Sequence, residues 1–194
     1  MTFRKVLCPH CRGKLETGQR IHPACIDPWL EAQQAKKERA DAKAARMAAK
    51  VERASVRARK EAIKTLADLK REAQTAMNRW IVQVRDADKP CISCGRHHQG
   101  QWHAGHYLSR GSAPQHALNP MNVWKQCAPC TTYLHGNLIP YRVRLIELIG
   151  LEAVEAMETD NAPHKWTREG LIEVRDTYRA KFKALKSNSK QGQA

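Results

Sequence analysis

Four cysteines in two Cys-x2-Cys pairs, Cys91 with Cys94 and Cys127 with Cys130, constrain this chain more than any other feature. Each pair can chelate one edge of a tetrahedral zinc ion, so a single site holding all four ties together segments about thirty residues apart. Gly95 after the first pair and Pro129 inside the second suit tight knuckles. Free buried thiols, a redox pair and disulfides are the alternatives. Nothing in the sequence suggests export, and two such pairs in a strongly basic chain favour a structural zinc on four thiolates.

A second cluster lies near the start, where Cys8-Pro9-His10-Cys11 is followed by His22-Pro23-Ala24-Cys25. Cys8, Cys11, His22 and Cys25 have the spacing of a second structural zinc site, and residues 1–26 are too short to hold a core without one. His10 reads as a solvated knuckle residue. The alternative is a disordered arm with incidental cysteines. The segment lacks the recognition-helix pattern of a finger that reads the DNA groove.

Charge narrows the partner. The chain has 194 residues and a formal net charge of +15, and two zinc–thiolate sites would leave roughly +12. Nucleic acid or another polyanion is the expected partner. Much of the apolar content is alanine, with two Phe and four Tyr, so the cores should be small and metal-stapled. No apolar run reaches membrane-span length and the start lacks a signal-peptide core, which together predict a cytoplasmic protein.

Asp27-Pro28 is a helix start, and nothing stops the helix before Asp88-Lys89-Pro90, giving one long basic helix or linker over 27–89. Its first half carries scattered basic residues read as lying all round the rod; as a nonspecific phosphate-binding arm its candidate contacts are Lys50, Arg53, Arg57, Arg59 and Lys60. Its second half has an apolar face of Ile63, Leu66, Leu69, Ala73, Met77, Trp80, Ile81 and Val84. That face is expected to pack on the core at its Met77–Val84 end and to suit a second copy of the chain over the remainder. Residues 139–186 read as C-terminal helices, the last capped by Thr167 and amphipathic through Leu171, Val174, Tyr178, Phe182 and Leu185. Trp124 and Trp166 read as packing anchors, and 187–194 as a disordered polar tail.

Between the core cysteine pairs, GQWHAGHY reads as a strand or hairpin ending in a Gly-His step, and NPMNVWKQC as a loop carrying Asn122 into the second knuckle. The order Cys-x2-Cys, Gly-His, Asn, Cys-x2-Cys resembles an HNH (ββα-metal) nuclease core with a four-cysteine zinc. The resemblance implies that His106 is the general base, that Asn122 orients it or helps to hold a catalytic metal, and that Mg2+ or Mn2+ serves the scissile phosphate. A neutral imidazole titrating near pH ~6.5 can accept a proton from water at neutral pH. Two departures stand out. Thr131 occupies the place of the usual His or Asn after the last cysteine, and His135 could compensate if both lay on one helix face. His103 stands in for an acidic neighbour of the base; in a regular strand it faces away from His106, so sharing a metal requires a bend at Ala104-Gly105.

With the flanks DKPCISCG, GNLIPYRVRLIELIG and HKWT included, the chain resembles the NinG or Rap family of lambdoid-phage recombination endonucleases. That resemblance implies cutting of branched DNA, such as Holliday junctions or D-loops, in a bacterial host cell alongside recombination proteins. The expected fold is α+β and mostly helical: an N-terminal zinc finger (1–26), a long basic helix (27–89), a zinc-stabilised ββα-metal (HNH-like) core (90–138) and a C-terminal helical brace. The competing expectation is a noncatalytic zinc-containing protein that binds recombination intermediates.

Overall fold

The computed structural model describes residues 7–191, with side chains through residue 184. Helix α5 runs to Gln191, so residues 187–191 of the expected tail are helical, while 192–194, the Leu185 side chain and the first six residues lie outside the described part. The chain divides into two compact units, Met1–Ile63 and Lys64–Ala194.

In the first unit a knuckle forms where Cys8 N–H donates to Gly13 O (2.9 Å) and Arg12 N–H to Cys8 O (3.0 Å), beside a bridge between Leu7 and Lys14. A 3-10 turn, Pro23–Cys25, leads directly into α1 (Ile26–Ala62). The helix opens one residue before Asp27, with Cys25 at the cap, and Asp27 sits in its first turn, where a carboxylate complements the helix dipole. No residue of α1 is buried. The unbroken helix also corrects the reading of its charge. Arg39, Lys43, Arg46, Lys50, Arg53, Arg57 and Lys60 recur at alternating steps of four and three, so they share one exposed stripe. Arg59 lies off that stripe and pairs with Glu52 at 3.3 Å.

The second unit begins with a cap that interrupts the expected single helix. Thr65 Oγ1 accepts from Asp68 N–H (3.1 Å) and Asp68 Oδ2 accepts from Thr65 N–H (3.1 Å), a capping box that starts α2 (Leu66–Trp80) afresh. Leu69, Ala73 and Met77 on α2, with Ile81 beyond it, are fully buried against Leu118, Val123, Leu171 and Tyr178. The apolar face from Leu69 onward is therefore covered by α5 (Arg168–Gln191) and the sheet. Ile63 remains 80% exposed and Leu66 52%.

After α2 the helix widens into a π turn, Ile81–Arg85, which presents two consecutive charges to the core. Asp86, 1% exposed, pairs with Arg85 (2.6 Å) and Lys89 (2.9 Å) and accepts from Lys125 N–H (3.2 Å). Burial opposes its charge, but Arg85 and Lys89 outweigh it and hold the carboxyl below its usual range. Arg85 also donates to Pro120 O and Val123 O (2.6 and 2.7 Å) and stacks 4.0 Å above Trp124. These bonds fix the entry of the second strand.

The sheet has two antiparallel strands, β1 (Trp102–His106) and β2 (Val123–Cys127), in a register running from Trp102↔Cys127 to His106↔Val123. The stretch expected as a loop is thus a strand, all five residues of which are buried. Gly105 is required here, since a Cβ at that position would lie 2.4 Å from Gln126 Oε1. A π turn (Pro129–Tyr133) follows, then α3 (Leu138–Ile149) and α4 (Leu151–Thr159). Tyr141, Leu145, Val154 and Met157 close over Ile92 and Trp124 as a second apolar cluster. Thr167 Oγ1 caps α5 by accepting from Gly170 N–H at 3.1 Å. No helix among the described residues is long and apolar enough to cross a membrane.

Candidate metal centres and the His106 groove

Two groups of ligand-type side chains converge, and they are the eight singled out from spacing. The donor atoms of Cys8, Cys11, His22 and Cys25 lie within 4.8 Å of one another, as do those of Cys91, Cys94, Cys127 and Cys130. Zn–S bonds of about 2.3 Å give a tetrahedron with edges of about 3.8 Å; Cys94 Sγ and Cys127 Sγ are 3.9 Å apart. In the first cluster His22 presents Nδ1 to Cys11 Sγ at 3.2 Å while its Nε2 meets Lys14 O at 3.1 Å. That leaves Nδ1 as the nitrogen a metal would take, with the ring oriented by a backbone carbonyl. Amides reach the sulfurs in both clusters, Gly13 N–H to Cys11 and Cys127 N–H to Cys91, each at 3.4 Å. Burial and neighbouring thiols push Cys127 up to about 12 and Cys25 up to about 11. Three or four sulfurs so placed ionise together only around a cation, and both clusters could hold zinc.

The core cluster also organises what lies beside it. Gln126, the residue before Cys127, is 1% exposed; its amide donates to Ser93 Oγ inside the first knuckle and to Gly136 O after the second (2.6 and 2.5 Å). Thr131 Oγ1 donates to Gln126 Oε1 at 2.9 Å and contacts Cys127 O at 3.1 Å. His106 ends β1, and its Nε2 lies 3.2 Å from Ala117 O and 3.3 Å from Gln74 Nε2. Burial, reinforced by the Arg110 charge, holds its imidazole below the usual histidine range despite bonds to backbone carbonyls, so the ring is neutral at pH 7. His106, Gln126, Thr131, His135, Ser109, Arg110 and the glycines Gly111 and Gly136 line one open groove.

The family profile described as Bacteriophage Lambda NinG protein matches residues 2–188. The chain belongs to the NinG family. It is 43% identical to "Protein ninG" of Salmonella phage P22 over 130 residues, which cover 67% of this chain and 64% of that protein. Against "Protein ninG" of Escherichia phage lambda the identity is again 43% over 130 residues, 67% of this chain and 63% of the relative. The aligned region thus spans a little under two thirds of these relatives. No solved structure matches.

Within this NinG-family chain the remaining expected site residues are placed as follows. Asn122 is fully buried and spends its amide on backbone, Oδ1 accepting from Leu108 N–H (2.8 Å) and Nδ2 donating to Leu108 O and His116 O (3.0 Å each). It therefore clamps the loop that leaves His106. His103 sits in a regular paired strand, so it faces away from His106 and the bend that would bring them to one metal does not occur. Thr131 lies inside the π turn, which ends at Tyr133, and His135 has a left-handed backbone (φ 47°). The two line the same groove, but not through a shared helix face. Among the described residues no third group of His, Cys, Asp or Glu meets at metal-binding distance. Lys50, Arg53, Arg57 and Lys60 are exposed on the α1 stripe.

Sequence reasoning missed Gln74, Arg110 and Gln126. Gln74 carried one readable signal, an amide inside the buried stripe of α2 between Ala73 and Met77. Gln126 sat inside a strand taken for a loop. Arg110 belongs to a turn with no motif.

Proposed function

We propose that this NinG-family chain is a metal-dependent endonuclease that hydrolyses phosphodiesters in branched DNA, Holliday junctions or D-loops, during phage recombination in the bacterial cytoplasm. The observation that carries the reading is His106: a half-buried, neutral imidazole at a strand end, fixed by Ala117 O, opening on a groove with Arg110 and His135 and no acidic residue in its lining. A strand, a second strand and a helical turn threaded through a four-cysteine cluster support an HNH-like reading of the same segment.

In the tautomer that donates Nε2–H to Ala117 O, the Nδ1 lone pair accepts a proton from water. The hydroxide attacks phosphorus, the P–O bond to the leaving strand breaks, and the leaving oxygen takes up a proton from solvent. Arg110 places positive charge beside the phosphate. A divalent cation would be held by His135, together with phosphate oxygens and water, and would stabilise the charge that builds on the phosphate; Mn2+ suits an imidazole better than Mg2+ does. Thr131 contributes through Gln126, as a brace for the knuckle. The exposed α1 stripe supports the DNA reading as well, since seven cations on one face follow a phosphate backbone without reading sequence.

One observation favours the noncatalytic alternative, a zinc-containing protein that binds branched DNA: the Thr131 hydroxyl is turned to Gln126, and the His106 groove carries no carboxylate. Cleavage of a labelled four-way junction beside linear duplex, with Mg2+ or Mn2+, separates the two. The nuclease reading expects metal-dependent junction cutting that falls about 100-fold or more in His106→Ala at unchanged zinc content. Because the imidazole is held below its ordinary value, the acid limb of the rate profile should lie below pH ~6.5, with the rate lost as His106 protonates. Junction binding with no cutting under either metal would leave the binding reading.

A further inference from the structure

A second groove, of about 570 Å³, runs along α2 and is lined by Ala67, Lys70, Arg71, Gln74, Thr75 and Asn78 together with Arg110 and Gly111. Arg110 and Gly111 also line the His106 groove, so the two grooves adjoin. Neither lining contains an acidic residue. The cations are Lys70, Arg71 and Arg110, of which Arg71 is shared with Asp68 at 2.6 Å.

The link between the two grooves is Gln74. It is 6% exposed; its Nε2 donates to Asn78 Oδ1 at 2.8 Å and lies beside His106 Nε2 at 3.3 Å, a proximity and not a bond while that nitrogen donates to Ala117 O. The other end, Oε1, is buried with no protein partner. A buried amide oxygen without a partner costs about 1–3 kcal/mol, so a ligand that reaches it gains what the fold forgoes. The surroundings specify that ligand: spaced cations for phosphate, and amides that complement sugar or base edges.

We propose that the α2 groove is the track of the substrate strand: Lys70 and Arg110 hold backbone phosphates next to the one His106 addresses, and the free end of the Gln74 amide bonds the strand between them. This assignment rests on the nuclease reading for the role of His106, but it requires only nucleic-acid binding to be tested.

The test uses the zinc-loaded protein, residues 1–194, with His106→Ala, which removes the proposed base, and anisotropy of a labelled single strand, a duplex and a four-way junction across a salt series. Lys70→Glu/Arg110→Glu should weaken binding about tenfold or more and flatten the salt dependence by about two phosphate contacts. The charge-matched pair Arg144→Glu/Lys183→Glu, outside both grooves, should stay within about threefold of the parent. Gln74→Met, which keeps the side-chain volume and removes the orphaned amide, should unfold no more easily than the parent yet bind the strand more weakly. Equal losses from both charge pairs, full binding by the Lys70/Arg110 variant, or no nucleic-acid binding by the parent would each overturn the track. Failure of the parent carrying His106 to cut any junction would instead sink the nuclease reading while leaving the groove as a binding surface.

Discussion

The two sulfur clusters use almost the same chemistry and do opposite things for the chain. Cys8, Cys11, His22 and Cys25 come from one short stretch, with only Cys8 buried. Cys91 and Cys94 meet Cys127 and Cys130 across the whole β-hairpin, and three of those four are buried. The first cluster closes a local loop and serves itself. The second is a corner of a core: Cys127 ends β2, Gln126 beside it ties both knuckles together, and Asn122 at the other end of the strand holds the loop after His106. Ligand spacing measures how far the consequences of metal binding reach.

That contrast is sharpest at the ligands. Cys127→Ser should lower bound zinc from two equivalents to one and abolish cooperative unfolding of residues 64–194, because the lost binding energy, about 10 kcal/mol or more, matches the whole stability of an ordinary domain. Zinc analysis and near-UV circular dichroism would read this, and a variant that kept its native near-UV signal would break the comparison. A step smaller is Asn122→Ala. It leaves Leu108 N–H and Leu108 O without their partner, removes one of the two donors to His116 O, which keeps Asn119 N–H at 3.1 Å, and should cost about 3 kcal/mol in urea unfolding, at full zinc content. A cost near zero would mean that the sheet end is held by the cysteines alone. The smallest effect is expected from Cys11→Ser, which should also remove one zinc but shift the unfolding of residues 64–194 by less than about 0.5 kcal/mol. A larger shift would show that the first cluster is not local in its effect.

Both clusters were legible because their information is combinatorial: few other reasons put two cysteine pairs at that spacing, and convergence needs no knowledge of the path between them. The place of His106 at a strand end was legible from the Gly-His step, as were the amphipathic faces of α2 and α5 from their period. What escaped was set by long-range partners. The run Val123–Cys127 is buried on both faces and so shows no alternation. The break at residues 63–65 hid because its cap uses Asp in place of Glu and the flanking residues are all good helix formers. The α1 charges were read one by one instead of by angle. His103 was weighed on a bend at Ala104-Gly105 and Thr131 on its type, whereas the strand register and a hydroxyl bond to Gln126 decide what each can reach.

The pairing of α2 with α5 joins the beginning of the second unit to its end, and this has a bearing on synthesis. A chain leaving the ribosome can fill its first sulfur cluster as soon as Cys25 emerges, and its second once Cys130 does. Leu69, Ala73 and Met77 must wait for Leu171 and Tyr178. For that interval the nascent protein has emerged with both sulfur clusters and carries an uncovered apolar stripe. The vulnerable moment in its production therefore falls late, after both sulfur clusters have emerged and before α5 arrives to shield the stripe.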